Sequence, residues 1–197
     1  MHRVRDETEI YSNYLISEFD ELNELYYEYS DKEITQKLID DVMEYMIFMY
    51  LNGFQSAAYM VGYDSFKEPD AKMIAKAVYQ EIDGKDVFQR LQELSGGNYN
   101  DMQGQIDNIV RSDGHRCYVL GQEDFGKSAE ENGVDLEKSW DSVMDGKERE
   151  THHDLHGTTI PFSDYFVTKN GKAKAPGLFN IPEEDCNCRC ILRFRRK

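Results

Sequence analysis

The spacing of apolar residues changes near residue 131, and this change limits the folds that the 197-residue chain can adopt. Before it, apolar residues recur every three or four positions, as in Ile34, Leu38, Val42, Tyr45 and Met49. That period is typical of amphipathic helices. After it, short β-prone pieces alternate with turn sequences such as "KNGK" and "APG". The pattern predicts an α+β fold, a helical section followed by a small β-rich unit.

The helical section is predicted to contain several helices. An earlier stripe runs through Tyr11, Leu15, Phe19, Leu22, Tyr26 and Tyr29. Because "SDKEI" at 30–34 separates the two stripes, we expect two long helices in an antiparallel hairpin. Shorter helices are predicted around 70–82 and 85–95, then a further helix from about 98 to 129 with interruptions.

These predicted elements divide the chain into two regions. Residues 1–83 form a helical leader, and residues 84–197 form a domain whose helices reach about residue 129 and whose β-rich unit covers about 134–194. Within that unit Val134, Leu136 and Trp140 have the even spacing of a half-buried strand, which Lys138 interrupts.

Charge argues against a broad role in coating nucleic acid. The chain has 38 Asp and Glu against 23 Lys and Arg, a formal net charge of −15. Such a surface repels phosphate backbones at long range. The tail "RFRRK", residues 193–197, is the strongest basic cluster in the sequence. It is interpreted as a solvated end, with local contact to DNA as the alternative.

We expect neither a membrane span nor secretion. Residues 42–63 carry Glu44, Asn52 and Gln55, and their unbroken apolar run is too short to cross a bilayer. The N-terminal "MHRVRDETE" is followed by charge rather than by the apolar stretch of a signal peptide. Four cysteines in such a chain indicate a reducing cytoplasm and free thiols or metal ligands.

Three of these cysteines form a candidate metal site. In an extended segment Cys186, Cys188 and Cys190 would share one face. With a histidine from "THHDLH" they would supply the ligands of structural zinc. The alternative is a strand that is packed by thiols without metal, because C-x-C is a weaker zinc signal than C-x-x-C.

A second candidate cluster lies on the predicted late helix. Asp113, His115 and Arg116 combine an acid, an imidazole and a guanidinium, which could serve phosphoryl or nucleotide chemistry. A salt-bridged helix face is the commoner arrangement. The sequence has no Walker loop, dinucleotide fingerprint or nucleophile elbow. A protein without catalysis is therefore favoured, and a metal-dependent nuclease or nucleotide-modifying enzyme using His115, Arg116 and His152 is the alternative.

Several motifs together resemble a known family. They are "GKDVFQRLQEL" (84–94), "RSDGHR" (111–116), "NGVDLEKSWDSVMDGKERETHHDLHG" (132–157), "DYF" (164–166), "APG" (175–177) and "NCRC" (187–190). Their order resembles the phage Mu F-like, or phage head morphogenesis, domain of minor capsid proteins in tailed phages and prophages. The resemblance covers residues 84–192 and rests on the combination rather than on one motif.

The resemblance implies a minor head protein of the virion that is made in the host cytoplasm. It further implies association with the phage portal protein and capsid components, and a part in head assembly, DNA packaging or delivery.

The resemblance also directs attention to particular side chains. We expect a structural polar cluster of Asp113, His115, Arg116, Trp140, Asp145, Arg149, His152, Asn187 and Arg189. In this arrangement the late helix lies against the turn that holds Asp145, Arg149 and His152, and the final cysteine strand closes the unit.

For the metal question, the resemblance changes the expected ligand set. Some relatives carry C-x-x-C where this chain has Arg149 and His152, which with the terminal C-R-C would make four zinc ligands. Here His152, Cys188 and Cys190 are one ligand short, unless Cys186 or His156 completes the set. Arginine cannot bind a cation, so Arg149 is expected to pair with Asp145 or with an acid near Asp185.

Overall fold

A computed structural model describes residues 33–62, 68–82, 84–94 and 99–197. Its helices are α1 (Glu33–Met60), α2 (Ala71–Val78), α3 (Val87–Leu94), α4 (Tyr99–Glu131), α5 (Glu150–Leu155) and α6 (Pro182–Asp185). Its strands are β1 (Leu136–Asp141), β2 (Thr159–Pro161), β3 (Phe166–Val167), β4 (Lys172–Ala173) and β5 (Ile191–Arg196). The predicted α+β class, with the helical section first, is confirmed. The stripe from Tyr11 to Tyr29, and with it the predicted hairpin, lies outside the described residues.

The two long helices, α1 and α4, pack along each other. α1 contributes Val42, Met46 and Met49 to the core at helical spacing, and α4 contributes Val110 and Phe125. Removing these side chains from water is the main stabilising term for the pair.

α4 is continuous from residue 99 to 131, so the predicted interruptions are wrong. The glycines within α4 do not break the helix. Several of them lie where residues of other elements pack too closely for a side chain. A Cβ on Gly114 would stand 2.5 Å from the ring of Tyr45, and one on Gly126 would stand 2.2 Å from the ring of Phe162. Glycine in a helix interior costs about 1 kcal/mol relative to alanine, and here it permits close packing.

The β-rich unit is built around a three-stranded antiparallel sheet with the order β2-β1-β5. Alternate residues of β1, namely Leu136, Lys138 and Trp140, are buried. Lys138 therefore does not interrupt the pattern, because it occupies an inward position and its charge is paired: its Nζ lies 3.0 Å from Glu123 Oε1 on α4. β3 and β4 form a separate antiparallel hairpin.

The buried amide of Gln122 joins α4 to the outer edge of β5. Its Nε2 donates to the carbonyl of Leu192 at 3.2 Å, and its Oε1 accepts from the N–H of Leu192 at 3.3 Å. One side chain thus satisfies both backbone groups that an edge residue would otherwise leave unpaired. This contact holds the start of β5, which directly follows the cysteines, against α4.

Residues 193–196 of the basic tail belong to β5, and residues 195–197 are exposed to solvent, as the interpretation of a solvated end expects. Arg193 Nε donates to Asp141 at 2.9 Å, and Arg195 Nε donates to Glu137 at 2.7 Å. Both acids lie on the neighbouring strand β1. These tail cations are therefore already paired with carboxylates.

Within the described part of the chain, none of the helices combines the length and apolar character needed to span a membrane.

Candidate metal centre

His152, Cys188 and Cys190 form a buried group of metal-ligand type. His152 lies on α5, and the two cysteines lie just before β5. The Nδ1 atom of His152 is 3.7 Å from Cys188 Sγ and 3.5 Å from Cys190 Sγ. The three candidate ligand atoms all lie within 4.8 Å of one another. Two sulfurs and one imidazole nitrogen are a donor set typical of zinc.

Cys186 does not join this group. Residues 186–190 do not form a strand, so the prediction that three thiols share one face is wrong. Cys186 follows α6, where its N–H closes the last turn on Pro182, and its side chain is exposed. Asn187 then adopts a left-handed φ of 54°. The turn separates Cys186 from the two buried thiols, which still share a face.

His156, the other candidate for a fourth ligand, is also engaged elsewhere. Its Nδ1 accepts a hydrogen bond from the N–H of Ser142 at 3.1 Å, and its ring is about two-fifths exposed. Among the described residues, no fourth histidine, cysteine or carboxylate belongs to the group. The protein donors therefore fit zinc as a set of three.

A buried carboxylate lies behind His152. The Nε2 atom of His152 is 2.9 Å from Glu184 Oε2. Nε2 is nevertheless buried without a hydrogen-bond partner among the described residues. Burial works to raise the pKa of Glu184, but hydrogen bonds from Asn170, Thr151 and Thr168 hold it below its usual range. The carboxylate is therefore charged at neutral pH.

The two thiols titrate as a pair. Hydrogen bonding with Cys188, and further with His152 and Ser142, lowers the pKa of Cys190 against the effect of burial. The same thiol–thiol hydrogen bond, together with burial, raises the pKa of Cys188. One negative charge is thus favoured on Cys190, and thiolate is the form in which cysteine binds metals.

Trp140 forms one wall of the centre. Its ring meets those of His152 and Phe166 edge to face, with centroid distances of 5.1 and 5.2 Å. Its Nε1 donates to Ser142 Oγ at 3.1 Å, and that hydroxyl donates to the carbonyl of His152 at 2.8 Å. Trp140 and Ser142 therefore fix both the ring and the backbone of His152.

α4 reaches the centre through two buried side chains. His115 Nε2 lies 2.6 Å from the carbonyl of Cys190. Burial lowers the pKa of His115, so the ring is neutral, and Nε2 carries its proton because a carbonyl can only accept. Arg116 donates to the carbonyl of Gly177 at 3.0 Å and to Asn180 Oδ1 at 2.7 Å. Both side chains bind the C-terminal unit to α4.

Asp113 points towards a different partner, Arg90 on α3. The guanidinium of Arg90 is 2.5 Å from Asp113 Oδ2. Oδ1 is buried without a hydrogen-bond partner among the described residues. Burial raises the pKa of Asp113, although Arg90 acts in the opposite direction.

Asp145, Arg149 and Arg189 lie at the outer side of the unit. Arg189 donates two hydrogen bonds to the carboxylate of Asp145, at 2.8 and 2.9 Å. These bonds from Arg189 lower the pKa of Asp145. Arg149 donates to the carbonyl of Cys186. The expectation that Arg149 pairs with Asp145 or with an acid near Asp185 is therefore wrong.

Asn187 links the cysteine segment to α4 through its backbone. Its N–H donates to Ser112 Oγ at 3.2 Å. Its left-handed φ explains the residue type, since asparagine tolerates this conformation better than most residues. With these contacts α4, the histidine turn and the final cysteine segment meet in one unit.

A cleft of about 750 Å³ opens beside this unit, between α3, α4 and α6. It is lined by Arg90, Asp113, Arg116, Asn180 and Asp185 among other residues, whereas neither His115 nor His152 lines it. The three residues of the alternative enzyme interpretation are thus not arranged around one open site.

Sequence reasoning missed several residues of this centre. Glu184 and Ser142 occur in "IPEEDC" and "WDSVM", and neither context has a signal that separates a buried polar group from a turn residue. Gln122 is likewise one amide among many polar residues of α4. Their roles depend on contacts between segments that are distant in sequence.

Comparisons with known proteins bear on the identity of the fold. The model of the family described as Phage Mu protein F like protein matches residues 71–193. Minor head protein GP7 of Bacillus phage SPP1 is 35% identical over 86 residues, which are 43% of this chain and 28% of that protein. NAD(+)-arginine ADP-ribosyltransferase EFV of Enterococcus faecalis (strain ATCC 700802 / V583) is 30% identical over 82 residues, 42% of this chain and 17% of that protein.

The chain thus spans less than a third of the length of either relative. No solved structure matches it significantly. The family match begins at residue 71, ahead of the boundary predicted at residue 84, which stays a prediction. The match contains α2 to α6, the candidate metal centre and the whole polar cluster, and it covers more than half of the chain. The resemblance seen in the motif series is therefore confirmed, and the chain belongs to the Phage Mu protein F like family.

Proposed function

We propose that the chain acts in the head of a tailed phage or prophage as a minor head protein without catalysis. It associates with the portal protein and capsid components, assists head assembly, DNA packaging or delivery, and resides in the virion after assembly in the host cytoplasm. The observation that carries this proposal is the 35% identity to minor head protein GP7 over 86 residues, inside a family match to residues 71–193.

The geometry of the polar groups supports a role without catalysis. His115 and Arg116 are buried, and each binds backbone carbonyls of the C-terminal unit. His152 is enclosed by Trp140 and Glu184. Groups held in this way brace the fold. The segment shared with the ADP-ribosyltransferase covers 17% of that protein, so its printed activity is not proposed for this chain.

Contact with DNA through residues 193–197 stays a prediction. It would have to compete with the ion pairs that Arg193 and Arg195 make with β1.

Co-assembly tests the head role. When the full chain is co-expressed with the portal and capsid proteins of the same phage or prophage, we expect it to sediment with the portal and with assembled heads. An unrelated protein of similar net charge serves as the control for non-specific association. Failure to sediment with either assembly at several salt concentrations would contradict the proposal.

We also propose a zinc ion bound by His152, Cys188 and Cys190. The observation in favour is the convergence of three buried ligand atoms within 4.8 Å. Bound zinc would supply a crosslink between α5 and the segment before β5, and a donor outside this set would take the fourth position. The carboxylate behind His152 matches the usual surroundings of a metal-binding histidine.

Metal analysis of the reduced, purified protein tests this site. We expect about one zinc per chain in the wild type and in Cys186→Ser, because Cys186 lies outside the group. Cys188→Ser should lose the metal. A wild type without zinc would rule out the site, and a Cys186→Ser variant without zinc would rule out this set of three ligands.

A further inference from the structure

The hairpin of β3 and β4 has one face in the core and the other in solvent. Phe166 and Ala173, which are register partners, are both buried. The ring of Phe166 meets that of Trp140 edge to face, with centroids 5.2 Å apart. Because successive side chains of a strand point to opposite faces, the neighbours of Phe166 and Ala173 point outward from an anchored base.

Four side chains make up the outer hairpin face, namely Tyr165, Val167, Lys172 and Lys174. Val167 and Lys172 are register partners, Tyr165 directly precedes β3, and Lys174 directly follows β4. Val167 is 67% exposed and Tyr165 is 45% exposed. The outer hairpin face therefore has an apolar row along β3 and a cationic row along β4.

The two lysines of this face are held close together without a counter-ion. The Nζ atoms of Lys172 and Lys174 lie 4.9 and 4.1 Å from the centroid of the Tyr165 ring. The ring attracts each ammonium group, but the two like charges repel each other. Lys174 also donates to the carbonyl of Ser163. In the described part of the chain no carboxylate pairs with either lysine, so an added anion would stabilise this arrangement.

The charge of the rest of the chain restricts which anion fits. The chain has a formal net charge of −15, and the third lysine of the hairpin, Lys169, is 3.3 Å from Glu150. A long polyanion such as nucleic acid would place most of its phosphates against this acidic surface. A short segment that carries carboxylates beside an apolar side chain would match both rows of the outer hairpin face.

We propose that the outer hairpin face binds an acidic segment of a partner protein. Its carboxylates pair with the two lysines, and an apolar side chain packs against Tyr165 and Val167. Exposed aromatic side chains are enriched at protein interfaces, and charges at the rim select the partner and orient it. The proposed head role supplies the setting in which such a partner occurs, whereas the chemistry of the face does not depend on that role.

A peptide titration of the full chain, followed by nitrogen-15 amide shifts in NMR, tests this face. The probe is an acetylated peptide of sequence Gly-Asp-Leu-Glu-Leu-Asp-Gly, and its matched control carries Asn and Gln in place of the acids. With the acidic probe we expect shifts centred on residues 165–174 that weaken as salt is added. The amide control should bind about tenfold more weakly or less, because it lacks the charges.

Two charge-reversed variants locate the binding site. Lys172→Glu with Lys174→Glu should weaken binding of the acidic probe by about tenfold or more, because like charges then face each other. Lys72→Glu with Lys76→Glu is the matched control, since it changes the net charge equally at exposed positions of α2 and should leave binding unchanged. If the first variant does not fold, Lys172→Gln at its exposed position replaces it and should also weaken binding.

Several results would overturn the inference. They are no binding of the acidic probe, equal binding of its amide control, and equal binding by the Lys172→Glu, Lys174→Glu variant. Binding of an oligonucleotide in place of the peptide would also overturn it, as would self-association in light scattering that this variant abolishes.

The same measurements separate this inference from the head role. A chain that binds the probe at the hairpin but sediments with neither portal nor heads supports the inference and contradicts the head role. A chain that sediments with them but does not bind the probe has the opposite meaning.

Discussion

Gly53→Ala is expected to destabilise the protein by about 3 kcal/mol or more, because it introduces a methyl group where two helix backbones touch. A Cβ on Gly53 of α1 would stand 1.8 Å from the carbonyl oxygen of Tyr118 on α4. The same clash arises from the other helix at Gly121 of α4, whose Cβ would stand 2.1 Å from the carbonyl oxygen of Tyr50 on α1. Backbone atoms cannot rotate away as side chains can. The two long helices would have to separate, and much of their shared core would loosen.

Urea denaturation followed by far-UV circular dichroism measures this effect. Gly104→Ala is the matched control, because Gly104 lies within the partner helix α4 with nothing within 4 Å of an added Cβ. There the higher helix propensity of alanine should stabilise the protein by about 0.5–1 kcal/mol. A Gly53→Ala variant that unfolds at the wild-type urea concentration would show that the helices do not cross at this point.

Lys138→Met is expected to cost about 3–5 kcal/mol, because it leaves the carboxylate of Glu123 buried without its cation. Lys138 is completely buried and Glu123 is 3% exposed. Burial lowers the pKa of Lys138 and raises that of Glu123, while each charge partly offsets the effect on the other. Lys138 Nζ also donates to the carbonyl of Lys174 at 2.7 Å, which would lose a donor.

The double variant Lys138→Met with Glu123→Leu should recover most of the lost stability, because no buried charge remains. A double-mutant cycle on urea midpoints gives the interaction energy of the pair. Lys169→Met is the control: its partner Glu150 and Lys169 itself are both largely exposed. It should change stability by no more than about 0.5 kcal/mol. If Lys138→Met were equally mild, the pair would not be buried in solution.

Much of the architecture follows from local sequence patterns. The 3.6-residue period of α1 and the even spacing in β1 reflect which side chains can reach a core, and they predict the order of helices and strands. The same patterns misread two places. They predict interruptions in the helix that is α4 and a strand interrupted at Lys138, because residue type alone does not report what packs against a position.

The candidate centre was predictable only in part. C-x-C and "THHDLH" contain the donor types of a zinc site, so His152, Cys188 and Cys190 could be named from the sequence. The sequence could not predict how many of the cysteines share one face, since that number depends on the left-handed turn at Asn187. The sequence also could not predict the ion-pair partner of Asp145, because Arg189 lies 44 positions further along the chain.

By itself, the sequence determined the α+β order, the family and the supply of thiols and imidazoles, because periodicity and motif order are properties of neighbouring residues. The tertiary structure alone decided which donors meet, that Glu184 lies behind His152, and that glycines mark a helix crossing. These features arise when folding brings segments that are distant in sequence within a few ångströms of one another. Residues of the same type then differ in their burial and hydrogen bonding, although the sequence alone does not distinguish them.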